Sequence, residues 1–250
     1  MDGKPDWPTG SPAPATQARA AESTREALLI TLTFAAGVVD AVSYLGLGRI
    51  FTANMTGNVV FLALALGEQN APTAAHAAVA LVGFCVGAIA AGQILGRPRP
   101  LGVWPRRVNR LLWAELACFV AFAILWVWGG ESPAAGLLFL LIVLSSVGMG
   151  IQNAAARHHA VPGLTTTVVT GALTGLMVDL PALGISGTPQ RRAVWTVTAL
   201  FVGAAVGAVL TVYAHPLAPL VTVAVVAGVA VAAHLRFRAP LIVSNPPSHA

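Results

Sequence analysis

Long apolar stretches separated by short polar segments dominate the pattern of this chain. Eight such stretches can be drawn, at about residues 27–47, 51–67, 74–96, 110–128, 134–156, 164–185, 193–214 and 217–235. Most have the roughly 20 residues that a membrane-spanning helix needs, while the second is shorter. The pattern therefore predicts an all-α fold, a polytopic membrane helix bundle.

The composition agrees with a membrane protein. Apolar residues make up 56% of the chain and charged residues 9%, and the mean hydropathy is +0.78. These values lie far from those of soluble domains, which carry about 25% charged residues. Residues 1–26, rich in Pro and Ala, are predicted to be a disordered N-terminal tail, and residues 236–250 a C-terminal tail.

Three motifs occur twice in the same order, which predicts an internal duplication. The matched segments begin at Gly37 and Gly150, at Thr52 and Thr166, and at Val82 and Val202, so the offsets are 113, 114 and 120 residues. The duplication divides a single membrane domain into a first repeat at 27–128 and a second at 134–235. Many transport folds are built from such repeats.

The basic residues predict how the stretches cross the membrane, because cytoplasmic loops are enriched in Lys and Arg. If all eight stretches cross, the fourteen basic residues divide seven to seven. If the second and sixth stretches instead enter and return on one side, Arg49 stands alone against the other thirteen. This predicts six crossings, two short re-entrant helices, an inverted second repeat, and both termini on the cytoplasmic side.

Hydroxyl and amide side chains crowd the starts of the two short stretches, where backbone N–H groups at a helix start need partners. Non-helical backbone at membrane depth is tolerated only where protein or a water-filled cavity covers it. One interpretation is that these residues line a pathway or a binding site at the midplane, and the other is that they hydrogen-bond between helices and hold the bundle together. The residues are Thr52, Asn54, Thr56 and Asn58 in the first stretch, and Thr166, Thr167 and Thr170 in the second.

Three segments together resemble a known family. Residues 33–62 read T-F-A-A-G-V-V-D-A-V-S-Y-L-G-L-G-R-I-F-T-A-N-M-T-G-N-V-V-F-L, residues 151–157 read I-Q-N-A-A-A-R, and residues 164–174 read L-T-T-T-V-V-T-G-A-L-T. In these segments the chain resembles the YoaK-like family of bacterial multipass membrane proteins, a domain of unknown function (DUF1275). The resemblance covers about residues 27–235 and implies a multipass inner-membrane protein without an assigned substrate or activity.

Asp40 is the first candidate functional residue. It lies about thirteen residues into the first stretch, or roughly 20 Å along a helix, and therefore well inside a hydrocarbon layer of about 30 Å. A carboxylate at that depth costs several kcal/mol unless it is protonated, paired or exposed to a polar cavity. Its repeat mate is Asn153, next to Gln152, which predicts a single proton or cation site. The alternative is a neutral Asp40 that ties the first helix to Asn54 or Asn58.

Two further features have structural interpretations. Glu115 lies near Arg106, Arg107 and Arg110 in the sequence, which predicts a local ion pair at the membrane edge. Two G-x-x-x-G motifs, one in each repeat, predict close helix packing between the repeats. Their residues are Gly83 and Gly87, and Gly203 and Gly207.

No sequence motif predicts catalysis, a metal site or a cofactor. The chain has no H-E-x-x-H and no phosphate-binding loop. The net charge of +5 follows from the loops and indicates anionic lipid head groups as partners, not nucleic acid. We therefore expect a protein that is not an enzyme, either a channel or secondary transporter for a small solute or ion, or a non-transporting membrane scaffold or lipid-binding protein. The sequence predicts no oligomeric state.

Overall fold

The computed structural model describes residues 14–96, 104–158, 169–183 and 188–237. Within these ranges the chain is helical and contains no strand. A one-turn 3-10 helix at His215–Leu217 precedes the last helix. The helices are α1 (Pro14–Gly46), α2 (Met55–Gly67), α3 (Ala71–Leu95), α4 (Arg106–Gly129), α5 (Ala135–His158), α6 (Val169–Leu183), α7 (Thr188–Tyr213) and α8 (Ala218–Arg236).

Six helices of the described part are long and apolar enough to cross a membrane, namely α1, α3, α4, α5, α7 and α8. Helix α2 has 13 residues and α6 has 15. At 1.5 Å per residue these two are about 20 Å long, which is shorter than a hydrocarbon core of about 30 Å. The predicted all-α polytopic bundle is confirmed.

Helix α1 starts earlier than the sequence indicates. Residues 14–26, which were assigned to the disordered tail, form its first turns. Arg192 near the start of α7 is hydrogen-bonded to Glu26 and lies 3.7 Å from a carboxylate oxygen of Glu22. These ion pairs tie the N-terminal part of α1, at Glu22 and Glu26, to α7, which is a tertiary interaction that local composition does not reveal.

The helices pack in matching pairs. Helix α1 lies along α7 and α3 lies along α5; α2 packs on α3 and α6 on α7; α4 packs on α5 and α8 on α1. Exchanging α1–α4 with α5–α8 reproduces the same set of contacts. This is the arrangement expected of two repeats, although the duplication itself stays a prediction.

Backbone contacts at two glycines show how closely the paired helices approach. A Cβ atom on Gly37 would lie 2.2 Å from the carbonyl oxygen of Leu200, and one on Gly150 would lie 2.2 Å from that of Phe84. Side chains larger than hydrogen therefore do not fit at either crossing. Small residues at such contacts allow helix backbones to pack directly against each other in a membrane.

Helices α1 and α5 run in opposite directions. Gln152 of α5 donates from Nε2 to the carbonyl oxygen of Leu32 in α1 at 3.2 Å. Ser145, seven residues earlier in α5, contacts Thr52, and the next residue, Ala53, is hydrogen-bonded to Asp40 of α1. Ser145 therefore lies near Asp40, whereas Gln152 lies near Leu32. The two helices are therefore antiparallel. This is the direction expected if α3, α4 and α5 each cross the membrane and α2 returns to the side from which it came.

The outer surface of the bundle is apolar. Large side chains such as Phe201, Trp128 and Val178 are 73%, 78% and 69% exposed. In a membrane protein such residues face lipid tails, so the bundle contacts lipids.

Candidate membrane-embedded polar site

Asp40 meets the backbone at the start of α2. Its Oδ1 accepts hydrogen bonds from the N–H groups of Ala53 at 2.9 Å and Asn54 at 3.2 Å. Two consecutive N–H groups aimed at one carboxylate form an anion-binding arrangement like that at other helix starts.

The loop that leads into α2 is held by two asparagines. Asn54 is the N-cap of α2, and its side chain accepts from the N–H of Gly57 at 3.4 Å. Asn58, which is fully buried, accepts from the N–H of Phe51 at 2.9 Å and donates from Nδ2 to the carbonyl oxygen of the same residue. These bonds satisfy backbone groups that would otherwise lie unpaired at membrane depth. Thr56, in the first turn of α2, is exposed.

Thr52 joins this loop to the second half of the chain. Its hydroxyl group lies 2.7 Å from the hydroxyl oxygen of Ser145 in α5, and both side chains are buried. Ser145 also lines a cavity of about 10 Å³ together with Thr222 of α8 and apolar side chains such as Phe119. A cavity of that size is near the lower limit for one water molecule.

Gln152 and Asn153 are adjacent in α5 but engage different partners. Gln152 is fully buried and bonds to the backbone of Leu32 in α1. Asn153 donates from Nδ2 to the carbonyl oxygen of Met149, one turn earlier in its own helix, at 2.9 Å. Of the two, Gln152 connects the halves, whereas the bond from Asn153 to Met149 is local to α5.

The counterpart site in the second half is only partly described. Thr166 and Thr167 lie outside the described residues. Thr170 is in the first turn of α6, and its side chain is exposed. The structure therefore brings together Asp40, Thr52, Asn54 and Asn58 at the start of α2, with Ser145 from α5 as an additional member.

All four glycines of the G-x-x-x-G motifs face a helix of the other half. Added Cβ atoms would lie 3.1 Å from the Ser146 side chain at Gly83 and 2.2 Å from the Val147 carbonyl oxygen at Gly87. The corresponding distances are 2.1 Å to the Phe34 oxygen at Gly203 and 2.7 Å to the Val38 oxygen at Gly207. Since Val147 lies 113 residues after Phe34, Gly87 is the structural counterpart of Gly203. The repeated motifs in the sequence instead match Gly87 to Gly207. That match is one helical turn out of register with the structure, because glycines spaced four residues apart also match after a shift of about one turn.

The ion pair expected for Glu115 is absent from the described residues. Glu115 is completely buried, and neither of its oxygens has a hydrogen-bond partner there. Arg110 is exposed, and Arg107 donates to the carbonyl oxygens of Ile94 and Leu95. Positions 110 and 115 are five residues apart, which places them on different faces of an α-helix.

Sequence reasoning did not identify Ser145 as part of the site. A signal was present, since Ser145 and Gln152 are seven residues apart and therefore share one face of α5. Among the described residues, no group of three or more His, Cys, Asp or Glu side chains is arranged to hold a metal ion.

Six apolar helices around a buried polar centre define a multipass integral membrane protein. A family model described as a protein of unknown function (DUF1275) matches residues 28–233. The chain therefore belongs to the DUF1275 family, which confirms the resemblance seen in the sequence. The UPF0700 transmembrane protein YoaK of Bacillus subtilis (strain 168) is similar to this chain, with 39% identity over 156 residues, or 62% of this chain and 67% of that protein. No solved structure matches the chain significantly.

Proposed function

We propose that this chain is a channel or secondary transporter for a small solute or ion, without enzymatic activity. Asp40, the start of α2 and their neighbours Thr52 and Asn58 form its midplane site. The segment around Thr166, Thr167 and Thr170 supplies the matching element from the second half.

The meeting of Asp40 with the N-terminus of α2 is the observation that carries this proposal. Asp40 lies six residues before the end of α1 at Gly46, or about 9 Å along the helix axis. A carboxylate at such a depth is costly, and ionisable groups inside membrane segments are characteristic of solute and proton pathways. Half-helices that end at the midplane are likewise used to bind substrates and ions in transporters.

The difference between the repeats supports a single ionisable site. Asn153 stands at the position of the second half that corresponds to Asp40, and it cannot ionise. A purely structural role would not require Asp in one half and Asn in the other, whereas a site for one proton or one cation requires only one carboxylate.

We place the protein in the cytoplasmic membrane of a bacterium with both termini in the cytoplasm. With six crossings, the starts of α4 and α7 lie on the same side as the N-terminus. That side carries Arg106, Arg107, Arg191 and Arg192, while Arg49 lies on the other. The excess follows the rule that basic residues remain on the cytoplasmic side.

Flux through proteoliposomes tests the transport proposal. We expect purified wild-type protein to accelerate the movement of protons, alkali cations or small neutral solutes over empty liposomes. Asp40→Asn keeps an oxygen that accepts from Ala53 and Asn54 but removes the charge. It should reduce the flux about tenfold or more, since a charged hydrogen bond contributes about 1.5–3 kcal/mol.

Thr31→Val is the matched control, because Thr31 lies on the exposed face of α1 and its hydroxyl group donates to the carbonyl oxygen of Ala27 in the same helix. Its flux should equal that of the wild type. A wild-type flux no faster than through empty liposomes contradicts transport itself. An Asp40→Asn flux equal to the wild type contradicts only the assignment of the site.

The second candidate is a non-transporting scaffold or lipid-binding protein. The bond between Thr52 and Ser145 favours it, since both hydroxyl groups are satisfied by each other within the protein. On that interpretation, Thr52→Val changes the stability of the bundle and has no effect on solute movement. Flux and thermal unfolding measured on the same variant separate the two candidates.

A further inference from the structure

Glu115 is a carboxyl group enclosed within the bundle and separate from the site around Asp40. It lies nine residues after the start of α4 at Arg106, or about 14 Å along the helix. Its exposure is 0%, and the described residues offer no hydrogen-bond partner to either oxygen. Leu111, Leu112 and Phe119 on the same face of α4 belong to the apolar core.

Gln152 of α5 also has a buried side-chain oxygen without a hydrogen-bond partner in the described residues. Its side chain is also 0% exposed, and its Nε2 is engaged by the carbonyl oxygen of Leu32. Its Oε1, however, is a buried acceptor without a donor in the described part of the chain. Such an orphan acceptor costs about 1–3 kcal/mol, so native proteins rarely leave one unpaired.

The helix register places these two groups opposite each other. A Cβ atom on Gly148 of α5 would lie 3.2 Å from the ring of Phe119 and 3.5 Å from the Cβ of Cys118 in α4. The two helices are consecutive and antiparallel. Moving one turn towards the start of α4 and one turn towards the end of α5 leads from Phe119 to Glu115 and from Gly148 to Gln152.

An ionised Glu115 is incompatible with this environment. In the part of the chain that the structure describes, its two oxygens have no hydrogen-bond donor to offset the loss of water. A neutral carboxylic acid instead carries one O–H donor. That single hydrogen gives the orphan oxygen of Gln152 the donor it lacks.

We propose that Glu115 is a proton-binding site. It holds a proton as a carboxylic acid in the membrane interior, and its O–H donates to Oε1 of Gln152. No bond other than the O–H is made or broken when the proton leaves, and the carboxylate that remains must then be stabilised by a change in its surroundings.

Few charged groups face this site. Helix α1 has no charged residue between Glu26 and Asp40, and α8 has none before His234. Within the described residues, α4 itself carries Cys118 and the exposed Arg110 near this position. Arg157 of α5 lies five residues beyond Gln152, and His234 of α8 is hydrogen-bonded to Asn109 at 3.0 Å.

The site also suggests the ion that drives transport. Glu115 and Asp40 are two carboxyl groups at different depths of one bundle, and the first is loaded with a proton. The inference that the proton is the coupling ion rests on the proposed transport function. The proposal that Glu115 holds a proton does not depend on the transport function.

Infrared difference spectroscopy of the full-length protein in lipid vesicles at neutral pH tests the proton site. The wild-type spectrum minus that of Glu115→Gln should contain the C=O stretching band of a protonated carboxylic acid, and this band should shift to lower frequency in heavy water. Glu131→Gln, which changes an exposed residue after α4, should give no such band. Without a carboxylic-acid band in the Glu115 difference spectrum, Glu115 is ionised and the proposal is overturned.

A second variant tests the partner. Gln152→Leu removes the acceptor while keeping the size of the side chain, so the carboxylic-acid band should persist and move to higher frequency. An unchanged band position would overturn the assignment of Gln152 as the acceptor. Glu115→Gln should remain folded, since its amide group can still donate to Oε1 of Gln152.

Flux measurements separate failure of this site from failure of transport. Wild-type flux should vary with pH, and Glu115→Gln should transport at a rate that no longer depends on pH. If the infrared band is present and the wild-type protein gives no flux, transport is contradicted and the proton site is supported. A flux whose pH dependence is unchanged in Glu115→Gln overturns the proton as coupling ion at this residue.

Discussion

Asp40 performs two tasks that a single substitution can separate. Its Oδ1 accepts two backbone hydrogen bonds at the start of α2. Under the proposed transport function, its carboxyl group is also the group that ionises in the membrane interior. An amide side chain can carry out the first task and not the second. The structural and functional contributions of this residue are therefore measurable independently.

We predict that Asp40→Ala destabilises the protein more than Asp40→Asn does. The alanine variant leaves the N–H groups of Ala53 and Asn54 without their acceptor, at a cost of about 1–3 kcal/mol for each that stays buried. Thermal unfolding of the purified protein in detergent measures the difference. Equal midpoints for the two variants would show that the hydrogen bonds of Asp40 contribute nothing to stability.

Individual residues were predictable from sequence where their chemistry is unusual for their position. Asp40, Asn54 and Asn58 stand out as polar residues in apolar surroundings, and all three hold the start of α2 in the structure. Ser145 did not stand out, because a serine in an apolar helix usually bonds to its own backbone. The ion pair predicted for Glu115 was wrong, since proximity in sequence was used without regard to helix face.

At the scale of helices, close packing depends on glycines that contact a neighbouring backbone. We predict that Gly37→Ala and Gly150→Ala each destabilise the bundle by about 1–3 kcal/mol or more, because the new methyl group would overlap a carbonyl oxygen. Rigid backbone atoms cannot rotate aside as a side chain can. Unfolding midpoints in detergent provide the measurement.

Gly92→Ala is the control for this prediction. Gly92 lies in α3, and a Cβ atom there would meet nothing within 4 Å. Because alanine favours helix by up to about 1 kcal/mol over glycine, this variant should be neutral or slightly more stable. If Gly92→Ala loses as much stability as Gly37→Ala, the loss does not arise from the helix crossing.

Helix boundaries followed from local sequence wherever local interactions determine them. Asn54 marks the start of α2, as the hydroxyl and amide residues there predicted. The start of α1 at Pro14 was missed because local composition was used alone, and composition does not reveal contacts such as that between Glu26 and Arg192, more than 160 residues apart. The G-x-x-x-G motifs identified the right helices but the wrong register, since the same spacing recurs after one turn.

For the whole molecule, six crossings predict which loops face each side. Single cysteines at Glu68 and Glu131 should react with a membrane-impermeant thiol reagent from outside the cell, in a background without Cys85 and Cys118. A cysteine at Arg191 should react only after the membrane is opened. Glu68 and Arg191 on the same side would instead indicate eight crossings.

The fourteen basic residues predicted six spanning helices, and the described part of the chain contains six helices long and apolar enough to span, whereas the charges did not predict the arrangement of helices within the bundle. Charge distribution determines on which side a loop remains, and it carries no information about lateral neighbours. The pairing of α1 with α7 and of α3 with α5 depends on shape at Gly37 and Gly150. Such complementarity is visible only in three dimensions.

This pairing has a consequence for biosynthesis. Helix α1 emerges from the ribosome long before α7. Its small-residue face therefore has no packing partner in the bilayer until α7 has been synthesised. The same holds for α3 and α5, although the interval is shorter. Insertion of the first four helices and their assembly are therefore separate events, and a ribosome that stalls between α4 and α7 leaves an inserted intermediate whose packing faces are open to other membrane proteins.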